Sequence, residues 1–413
     1  MSFAITLFAT STSRKASAFL SSSSHRVKSA TKLQVSFLED LQSNVQKAFS
    51  TMSEPSSSSS SQYYTVAITG STGMLGNALI DELKSRENGM LNGKTMRIVK
   101  LARSESIQDK DDDNGIDTEQ LMSASNWNPN AMSPTKTINP KALESIDAVV
   151  HLAGENVGTG LLPGPLGLLG IQAWSDEKKN SIMNSRVGPT NALATAIAAS
   201  KTPTTFIVAS GVGVYGSNFF ANENDETSLP DETFDVSETT GFLAEVSRQW
   251  EAASQPAVGS GAISKKNRVV NLRLAPIMSK LGGALGKLYP IFFLGGGGIV
   301  GSGDQYFSYV SARDAAKAIV HTIETPSLSG PVNLVAPIPC TNKEFTSALG
   351  KVLFRPTILP LPEFAVKLLF GEMGEEMLLG GVKAAPKKLI DSGFEFQHEN
   401  IEKALESAVN ENI

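Results

Sequence analysis

The feature that most constrains this chain is a glycine-rich turn between a short apolar run and an amphipathic segment. Residues Tyr64–Thr69 form a β-branched, apolar run, glycine recurs at positions 70, 73 and 76, and Asn77–Lys84 has a helical pattern. Glycines at this spacing allow a tight turn, a close approach of the backbone to a pyrophosphate, and close packing of the helix on the strand. N–H groups at the start of the helix would bind the phosphates. The stretch therefore predicts a dinucleotide site.

Strands and helices alternate along the chain after this turn. Further strands are predicted at four apolar runs: Met96–Leu101, Asp147–Leu152, Thr204–Ala209 and Arg268–Leu274. Helical patterns cover Trp174–Ser200 and Thr240–Ala253. The alternation predicts an α/β fold with a Rossmann-like, doubly wound parallel sheet. Residues 105–140 are expected to form a mostly exposed loop with one short helix, and 158–170 an inserted loop that acts as a lid.

The same pattern divides the chain into three parts. Residues 1–62 are predicted to be a targeting peptide and disordered linker, and 63–330 the NADP-binding Rossmann domain. From 331 to 413 short strands, prolines and helices follow one another, including a strand at Pro331–Ala336 and a helix at Asn342–Leu353. We expect this last part to be a small α+β domain of the substrate-binding type, packed over the cofactor cleft.

The end of the second predicted strand bears on which dinucleotide fits. An acidic residue there would hydrogen-bond a free ribose 2′-hydroxyl and repel a 2′-phosphate. The sequence instead has Ala102, Arg103 and Ser104 at this place. Because a guanidinium can bind a phosphate through two parallel hydrogen bonds, these residues predict NADP(H) rather than NAD(H).

Composition excludes several classes of function. The net charge of −5 and the lack of a basic stripe argue against a nucleic-acid partner. Cys340 is the only cysteine, which excludes an intrachain disulfide, and with four histidines and no zinc-type spacing we predict no metal site. The longest apolar stretch, Leu274–Val300, contains Lys280, Lys287 and a run of four glycines. No transmembrane segment is therefore predicted.

The first residues have the composition of an organelle targeting peptide. Between Met1 and Leu38 there is no Asp or Glu, while five basic residues lie among many serines. Ala16–Phe19 resembles the junction motif of proteins imported into algal plastids of red-lineage ancestry, with Phe3–Phe8 as a weak signal core. We predict the plastid (chloroplast) stroma after cleavage of this peptide, with the mitochondrion as the alternative. Residues 51–61 have the composition of a flexible linker.

Several motifs together resemble the extended short-chain dehydrogenase/reductase superfamily. They are the glycine turn at 69–76, HLAG at 151–154 and a Ser-plus-VYG segment at 210–216. HLAGEN at 151–156, the pair Trp174 and Arg186, WEAA at 250–253 and GGxxGSGxQxF at 297–307 narrow the resemblance to the epimerase subgroup typified by SDR family 39U member 1. NLVAP at 333–337, LLGG at 378–381 and the run at 386–396 resemble the small C-terminal domain, of the DUF1731 type, of that subgroup.

The resemblance implies a set of cofactor residues. The pyrophosphate would lie at Gly70, Ser71, Thr72, Gly73, Met74, Leu75 and Gly76. The 2′-phosphate would lie at Ala102, Arg103 and Ser104. The rest of the site would comprise Leu152, Ala153, Gly154, Arg186 and Ile277. Plant plastid members of the subgroup are implicated in chloroplast division, and dimers are common in the superfamily, so a plastid-division partner and a homodimer are the partners that the resemblance implies.

One part of the superfamily's chemistry is missing. Most members use a Tyr-x-x-x-Lys pair, in which a lysine lets a tyrosine of pKa near 10 act close to neutrality. None of the six tyrosines has a lysine four residues later, and Phe242 and Val246 occupy the places of the pair, as the subgroup as a whole tends to lack it. Ser311 likewise stands where the resemblance implies a histidine. The remaining candidates for catalysis are Ser210, Tyr215 and Glu155.

Two functions therefore stay open at this point. The first is an NADP-dependent oxidoreductase or epimerase acting on a small molecule. The second is a non-catalytic, NADP(H)-sensing regulator that acts through a partner. Loss of the Tyr/Lys pair favours the second, while retention of Ser210 and of a full C-terminal domain favours the first.

Overall fold

The central sheet is built from the apolar, β-branched runs of the sequence. A computed structural model describes residues 62–86, 89–101, 117–119, 143, 145–158, 173–200, 202–217, 229–258 and 267–411. The strands of this sheet are β1 (Tyr63–Thr69), β2 (Met90–Leu91), β3 (Lys94–Leu101), β4 (Asp117–Glu119), β5 (Ala148–His151), β6 (Thr205–Gly211), β7 (Arg268–Leu274) and β11 (Gly330–Leu334). Short strands outside it are β8 (Ile277–Met278), β9 (Tyr306–Phe307), β10 (Val310–Ser311) and β12 (Cys340–Thr341).

Nine α-helices are described alongside these strands. They are α1 (Met74–Lys84), α2 (Asp176–Ala199), α3 (Phe242–Ser254), α4 (Gly283–Phe293), α5 (Ala312–Glu324), α6 (Asn342–Leu353), α7 (Glu363–Gly374), α8 (Lys387–Asp391) and α9 (Ile401–Asn410). A π-helical turn, Glu375–Leu379, follows α7, and 3₁₀ turns cover Val212–Tyr215 and Gln255–Val258. The Ser175 hydroxyl caps α2 by accepting a hydrogen bond from the N–H of Lys178 (3.2 Å).

The strand order creates a crevice beside the glycine turn. Strands run in the order β11-β7-β6-β5-β1-β3-β2, with β4 also pairing with β3, and every pairing except β2 with β3 is parallel. From β1 the chain moves first to β3 on one side and later to β5 on the other. The carboxyl end of β1 therefore lies at the point where the strand order reverses, which is where open α/β sheets bind ligands. The predicted doubly wound sheet is confirmed.

Alternate residues of each strand pack on opposite faces of the sheet, because side chains in a strand alternate in direction. Val66 and Ile68 of β1 pack with α1 and α5, whereas Ala67 packs with α2 and α3. The first face contains Ile98, Val150, Ile207, Leu79, Leu83, Ile319 and Ile323. The second contains Val99, Val149, Phe206, Val208, Leu193, Ile197 and Trp250. Helices thus cover both faces and leave the strand ends for ligands.

The C-terminal residues divide between the main sheet and a second core. Strand β11 pairs with β7 in the main sheet, so the sheet continues to Leu334, past the predicted boundary at 330. Helices α6 and α9, which follow the sheet, share a separate apolar core with the earlier helix α4. This core contains Leu285, Phe345, Leu349, Ile401 and Leu405. All of the described residues lie in one compact unit, Ser60–Ile413.

Strand β4 corrects one expectation from the sequence. Residues 105–140 are expected to form a mostly exposed loop, yet 117–119 add a parallel strand beside Arg97–Val99. Asp117, Thr118 and Glu119 have neither an apolar run nor a strong β preference, so backbone pairing with β3 decides their conformation. The predicted targeting peptide, the linker at 51–61 and almost all of the predicted lid at 158–170 lie outside the described residues.

Candidate functional site

The glycine turn has no room for side chains at two of its glycines. Gly70 has φ +68°, and a Cβ there would lie 3.0 Å from the Ala153 nitrogen and from the carbonyl carbon of Leu152. A Cβ on Gly76 would lie 2.2 Å from the Gly70 oxygen. The turn is closed by a hydrogen bond from the Gly73 N–H to the Gly70 oxygen (3.0 Å). The sequence thus brings β1, α1 and the end of β5 into direct backbone contact.

The first turn of α1 faces the crevice with backbone rather than side chains. Gly73 is the residue before the helix, and among the described residues no side chain caps it. Ser71 and Leu75 are buried, while Thr72 and Gly73 are exposed at the tip of the turn. An uncapped helix start of this kind has N–H groups and a positive dipole end available to an anion.

The end of β5 is fixed to the end of β1 through side chains. The Thr69 hydroxyl lies 2.7 Å from Nδ1 of His151 and accepts a hydrogen bond from the Ala153 N–H (3.2 Å). Burial, with a smaller contribution from the charge of Arg186, lowers the pKa of His151 to about 3. His151 is therefore a neutral core histidine, and it orients the segment Leu152–Ala153–Gly154 against the glycine turn.

Arg186 lies against the same segment from the side of α2. Its Nη2 donates to the Glu155 carbonyl (2.8 Å), its Nη1 to the Ile182 carbonyl (3.0 Å), and its guanidinium carbon lies 4.8 Å from the Trp250 ring centroid. A Cβ on Gly154 would lie 3.2 Å from that carbon. Burial lowers the pKa of Arg186 to about 10, so it stays charged at neutral pH. Arg186 thus holds the strand end in place while adding positive charge beside the crevice.

Glu155 is held rigidly just beyond β5. Its carboxylate accepts hydrogen bonds from the Lys178 ammonium and the Ser181 hydroxyl, both on α2, and its N–H donates to Ser185 Oγ (3.1 Å). The hydrogen bonds from Lys178 and Ser181 lower the pKa of Glu155 below its ordinary value. A carboxylate in this state is an anion at neutral pH, so it can accept a proton only weakly.

Ser210 belongs to a buried ionic network near the ends of β6 and β7. Its side chain is almost fully buried, and its hydroxyl donates to Oε1 of Glu251 (3.0 Å). Glu251 in turn forms a bidentate pair with Arg273, through Nε (2.9 Å) and Nη2 (3.0 Å). Burial alone would lower the pKa of Arg273, but hydrogen bonding and charge from Glu251 raise it. Ser210 is therefore anchored to a permanent ion pair.

Tyr215 is the other end of this network. Its hydroxyl accepts from Nη1 of Arg273 (3.0 Å) and lies within hydrogen-bond distance of Oδ1 of Asn333 (2.8 Å) and the Asp231 carbonyl (2.9 Å). Only 1% of Tyr215 is exposed, and burial raises the pKa of its hydroxyl despite the Arg273 charge. The hydroxyl links β7, β11 and the segment around 231, and it does not reach the crevice.

Phe242 and Val246, which the resemblance places at the positions of the Tyr/Lys pair, are apolar and packed. The Phe242 ring contacts Trp174 edge to face, with 4.9 Å between centroids, and the Lys179 ammonium lies 5.1 Å from the Phe242 ring centroid. Val246 is 3% exposed. Lys179 itself forms an ion pair with Glu372 of α7. The first turn of α3 thus provides packing at the position where the sequence resemblance places the tyrosine of the pair.

Glu376 is a site residue that sequence reasoning missed. Its carboxylate accepts hydrogen bonds from the N–H groups of Phe242 (2.6 Å) and Leu243 (2.9 Å), at the start of α3. A Cβ on Gly241 would lie 3.1 Å from the same carboxylate. The C-terminal part of the chain therefore caps the helix that borders the site. No local motif marks this contact, because the two segments lie 134 residues apart.

The missing histidine at 311 has a spatial counterpart. Ser311 Oγ lies 2.9 Å from Nδ1 of His398, which also lies 3.2 Å from the Asp314 carboxylate. Asp314 is fully buried and accepts the N–H groups of Gln397 and His398 (2.9 Å each). An imidazole from the C-terminal segment thus lies beside the residue that replaces the histidine.

The predicted site residues fall into two groups. The first group is the glycine turn with Leu152–Glu155 and Arg186, which contact one another. Ile277 lies close to this group, at the start of α4. A Cβ on Gly283 would lie 3.6 Å from the Ile277 carbonyl oxygen and 3.8 Å from Met74 Cε. Ser210 and Tyr215 lie in the separate buried network. Ala102, Arg103 and Ser104 lie outside the described residues. Within the described part of the chain, no group of three His, Cys, Asp or Glu residues could hold a metal ion.

A glycine turn at the reversal point of a doubly wound sheet defines a dinucleotide-binding α/β protein. Within that class, the family model described as "NAD dependent epimerase/dehydratase family" matches residues 66–334. The chain belongs to this family. A second model, "Domain of unknown function (DUF1731)", matches residues 361–408. The predicted subgroup, an epimerase-family protein with this C-terminal domain, is confirmed.

Known relatives cover most of the chain. "Epimerase family protein MT2273" of Mycobacterium tuberculosis is 38% identical over 342 residues, 82% of this chain and 96% of the relative. "Epimerase family protein SDR39U1 homolog, chloroplastic" of Arabidopsis thaliana is 31% identical over 84% of this chain and 88% of the relative. The crystal structure of human SDR39U1 with NADPH is similar with a TM-score of 0.63, at 27% identity, covering 84% of this chain and 99% of that chain.

Among the helices in the described ranges, none combines the length and the apolar character that crossing a bilayer requires.

Proposed function

We propose that this chain binds NADP(H) in the crevice at the carboxyl ends of β1 and β5. The observation that carries the proposal is the pair of backbone contacts at Gly70 and Gly76, which a side chain would block. The uncapped start of α1 then receives the pyrophosphate, and Leu152, Ala153 and Ile277 border the sugar and nicotinamide. Arg103 supports NADP(H) over NAD(H), and a human relative has been crystallised with NADPH.

The reaction that fits the family is oxidoreduction or epimerisation of a small molecule. In this proposal Glu155 is the polar group beside the nicotinamide end, and the neighbouring Lys178 ammonium is a proton donor within hydrogen-bond reach of it. Ser210 and Tyr215 act as positioning residues, because their hydroxyls are engaged by Glu251 and Arg273. The C-terminal domain packs over the cleft through contacts such as that between Glu376 and α3.

The alternative is a non-catalytic regulator that senses NADP(H). The packing of Phe242 on Trp174 favours it, because the place of the usual proton donor holds an apolar ring. Such a regulator would act through a partner, and plastid division is the process that the resemblance suggests. A homodimer is compatible with both functions, and size-exclusion chromatography with light scattering measures it directly.

Plastid localisation is part of the same proposal. The acid-free leader and the chloroplastic relative from Arabidopsis thaliana support it. A fluorescent protein fused to residues 1–62 should enter the plastid stroma. Import into mitochondria instead would support the alternative compartment.

The cofactor claim is tested by titrating the purified full-length chain with NADPH and NADH. NADPH should bind, and NADH should bind at least about 10-fold more weakly, as the loss of a charge-assisted phosphate contact predicts. Arg103→Ala should weaken NADPH binding and leave NADH binding unchanged. Equal binding of the two cofactors, or none, would refute the proposal.

A second measurement separates the enzyme from the regulator. A metabolite screen that follows NADPH oxidation for oxidoreduction, and inversion of the substrate by NMR for epimerisation, should show turnover in the wild type, with a reduced rate for Glu155→Gln. Tight NADPH binding without turnover across a broad screen would favour the regulator.

A further inference from the structure

Six large apolar residues are more than half exposed in one part of the C-terminal half of the chain. Their exposed fractions lie between 57% and 87%. They are Leu294, Phe354, Ile358, Leu359, Phe364 and Leu368, and we call them the apolar patch. Single exposed apolar residues are common on protein surfaces, whereas a large group of them marks a surface that binds another molecule.

The end of α4 lies against the loop between α6 and α7, and both carry members of the apolar patch. Nε of Arg355 donates to the Phe293 carbonyl (2.7 Å), and the Arg355 guanidinium carbon lies 5.0 Å from the Phe293 ring centroid. Further along the loop, the Leu359 N–H donates to the Gly297 carbonyl (3.2 Å). These two contacts place Leu294 next to the loop.

Helix α7 continues the apolar patch. Just before this helix, the Leu361 N–H donates to the Ile299 carbonyl (2.8 Å), so the start of α7 is attached to the segment that follows α4. Val366 of α7 is fully buried in an apolar core, whereas Phe364 and Leu368 are exposed. Because residues four apart lie on the same side of a helix, these two side chains give α7 an apolar outer face.

The apolar patch is as large as one side of a stable protein–protein interface. At about 180 Å² for each fully exposed residue of this size, the six residues expose roughly 800 Å². The largest apolar patch on a typical monomer is about 300–600 Å², and a standard interface covers about 800 Å² on each partner. The patch is therefore large enough to form an interface by itself.

Two lysines beside the apolar patch are paired within the chain. Lys367 lies 2.7 Å from Glu363, one turn earlier on α7, and Lys351 lies 2.9 Å from Glu402. A surface that binds an anionic membrane has an excess of Lys and Arg around its apolar residues. A surface that binds its own copy needs charges of both signs, since like charges that face each other repel. The pairs therefore favour a second copy of this chain over a lipid surface.

We propose that the apolar patch is the interface of a homodimer, in which it binds the same patch of a second copy. A two-fold axis beside α7 places the two copies of this helix antiparallel, with Phe364 of one copy against Leu368 of the other. The same axis brings Lys367 of one copy near Glu363 of the other, so the ion pairs extend across the interface. The sequence resemblance implies a dimer without identifying the surface, and the interface does not depend on the proposed cofactor.

The molar mass of the full-length chain, measured by light scattering after size-exclusion chromatography, tests the interface. The wild type should have twice the mass of one chain. Leu368→Glu introduces a carboxylate from each copy into the apolar contact, so the dissociation constant of the dimer should rise at least about 100-fold. Because Leu368 is largely exposed, the variant should keep its fold, which a circular dichroism melt verifies.

Matched variants separate the interface from general effects of charge. Ile390→Glu makes the same kind of change at an exposed residue of α8, outside the apolar patch, and should leave the dimer unchanged. Glu363→Lys should weaken the dimer about 10-fold, because lysines then face each other across the two-fold axis. The double variant with Lys367→Glu exchanges the two charges and should restore the dimer.

Three outcomes overturn the inference. A wild type that stays monomeric at about 100 μM is the first. The second is a dimer whose dissociation constant is the same in Leu368→Glu, since another surface would then form it. For the third, the chain is sedimented with vesicles of phosphatidylcholine and phosphatidylserine. Binding of the wild type to these vesicles, lost in Leu368→Glu, would assign the apolar patch to a membrane instead.

Discussion

Replacing Gly76 with alanine tests the cofactor turn most directly. The new Cβ would lie 2.2 Å from the Gly70 oxygen and 2.8 Å from the Ser71 Cα, against an ordinary contact distance of 3.4 Å. The turn must therefore move by about 1 Å, because the atoms in the way belong to backbone and not to a flexible side chain. Overpacking should cost about 1–3 kcal/mol, offset by about 1 kcal/mol from the better helix propensity of alanine.

The effect on binding should exceed the effect on stability. A shifted turn misplaces the N–H groups at the start of α1, and each hydrogen bond to a charged group contributes about 1.5–3 kcal/mol. The loss of two such bonds predicts an NADPH affinity at least about 100-fold lower, measured by calorimetry or by NADPH fluorescence.

Gly188→Ala is the matched control for this substitution. Gly188 also lies in a helix, and a Cβ there would meet nothing within 4 Å beyond its chain neighbours and its own helix. It should leave binding unchanged and change stability little, because the better helix propensity of alanine is opposed by the contact of its Cβ with the ring of the following Pro189. An NADPH affinity for Gly76→Ala within about 3-fold of the wild type would refute the assignment of the turn, since 3-fold is about 0.6 kcal/mol, less than the loss of one hydrogen bond to a charged group.

Three other perturbations test the surrounding structure. His151, with its folded pKa of about 3, stabilises the protein above its ordinary pKa of about 6.5, and this contribution is lost as the pH falls toward 3. Between pH 7.5 and 4.5, urea unfolding should therefore show about 2–3 kcal/mol more loss for wild type than for His151→Asn, and equal losses would contradict the burial argument. Arg273→Met should destabilise by about 3–5 kcal/mol, because it leaves the Glu251 carboxylate buried without its partner; a double variant with Glu251→Gln should recover part of this loss. Glu376→Gln should lower stability by about 0.5–1 kcal/mol through the start of α3, whereas the exposed neighbour in Glu375→Gln should have no effect in the same melts.

The sheet could be predicted from sequence because its strands are local apolar runs. Arg268–Leu274 and Asn342–Leu353 have the predicted bounds, and the other main elements differ by a few residues at their ends. Strand β4 could not be predicted, since Asp117–Glu119 is polar and its conformation comes from pairing with β3. The local pattern therefore predicts strands that are apolar runs and misses a short polar segment that pairs with the sheet.

In the candidate site, too, the sequence predicts the local features and misses the contacts between distant segments. Gly70, Gly73 and Gly76 lie within one short stretch of sequence, and their spacing carries the geometry that the structure shows. The partners of Glu155 and of α3 were not predictable, because Lys178 and Glu376 are brought there by packing between distant segments. A motif in a single sequence predicts a turn whose residues are neighbours in the chain. It does not predict a charged side chain that comes from a distant segment.

The contacts of helix α3 show why cofactor binding by this chain does not by itself imply catalysis. Its first turn contacts Trp174 of the segment before α2 through Phe242, and it is capped by Glu376 from beyond α7. A tyrosine at 242 would need an ammonium four residues on, yet Val246 is 3% exposed, and a charge at this buried position would carry a high energetic cost. In the proposed function, the polar groups available for chemistry are therefore Glu155 and its partner Lys178, beyond the end of β5. The same first turn of α3 couples the C-terminal domain to the edge of the site, so a regulator and an enzyme would use one contact: the regulator to report the bound cofactor, and the enzyme to close over its substrate.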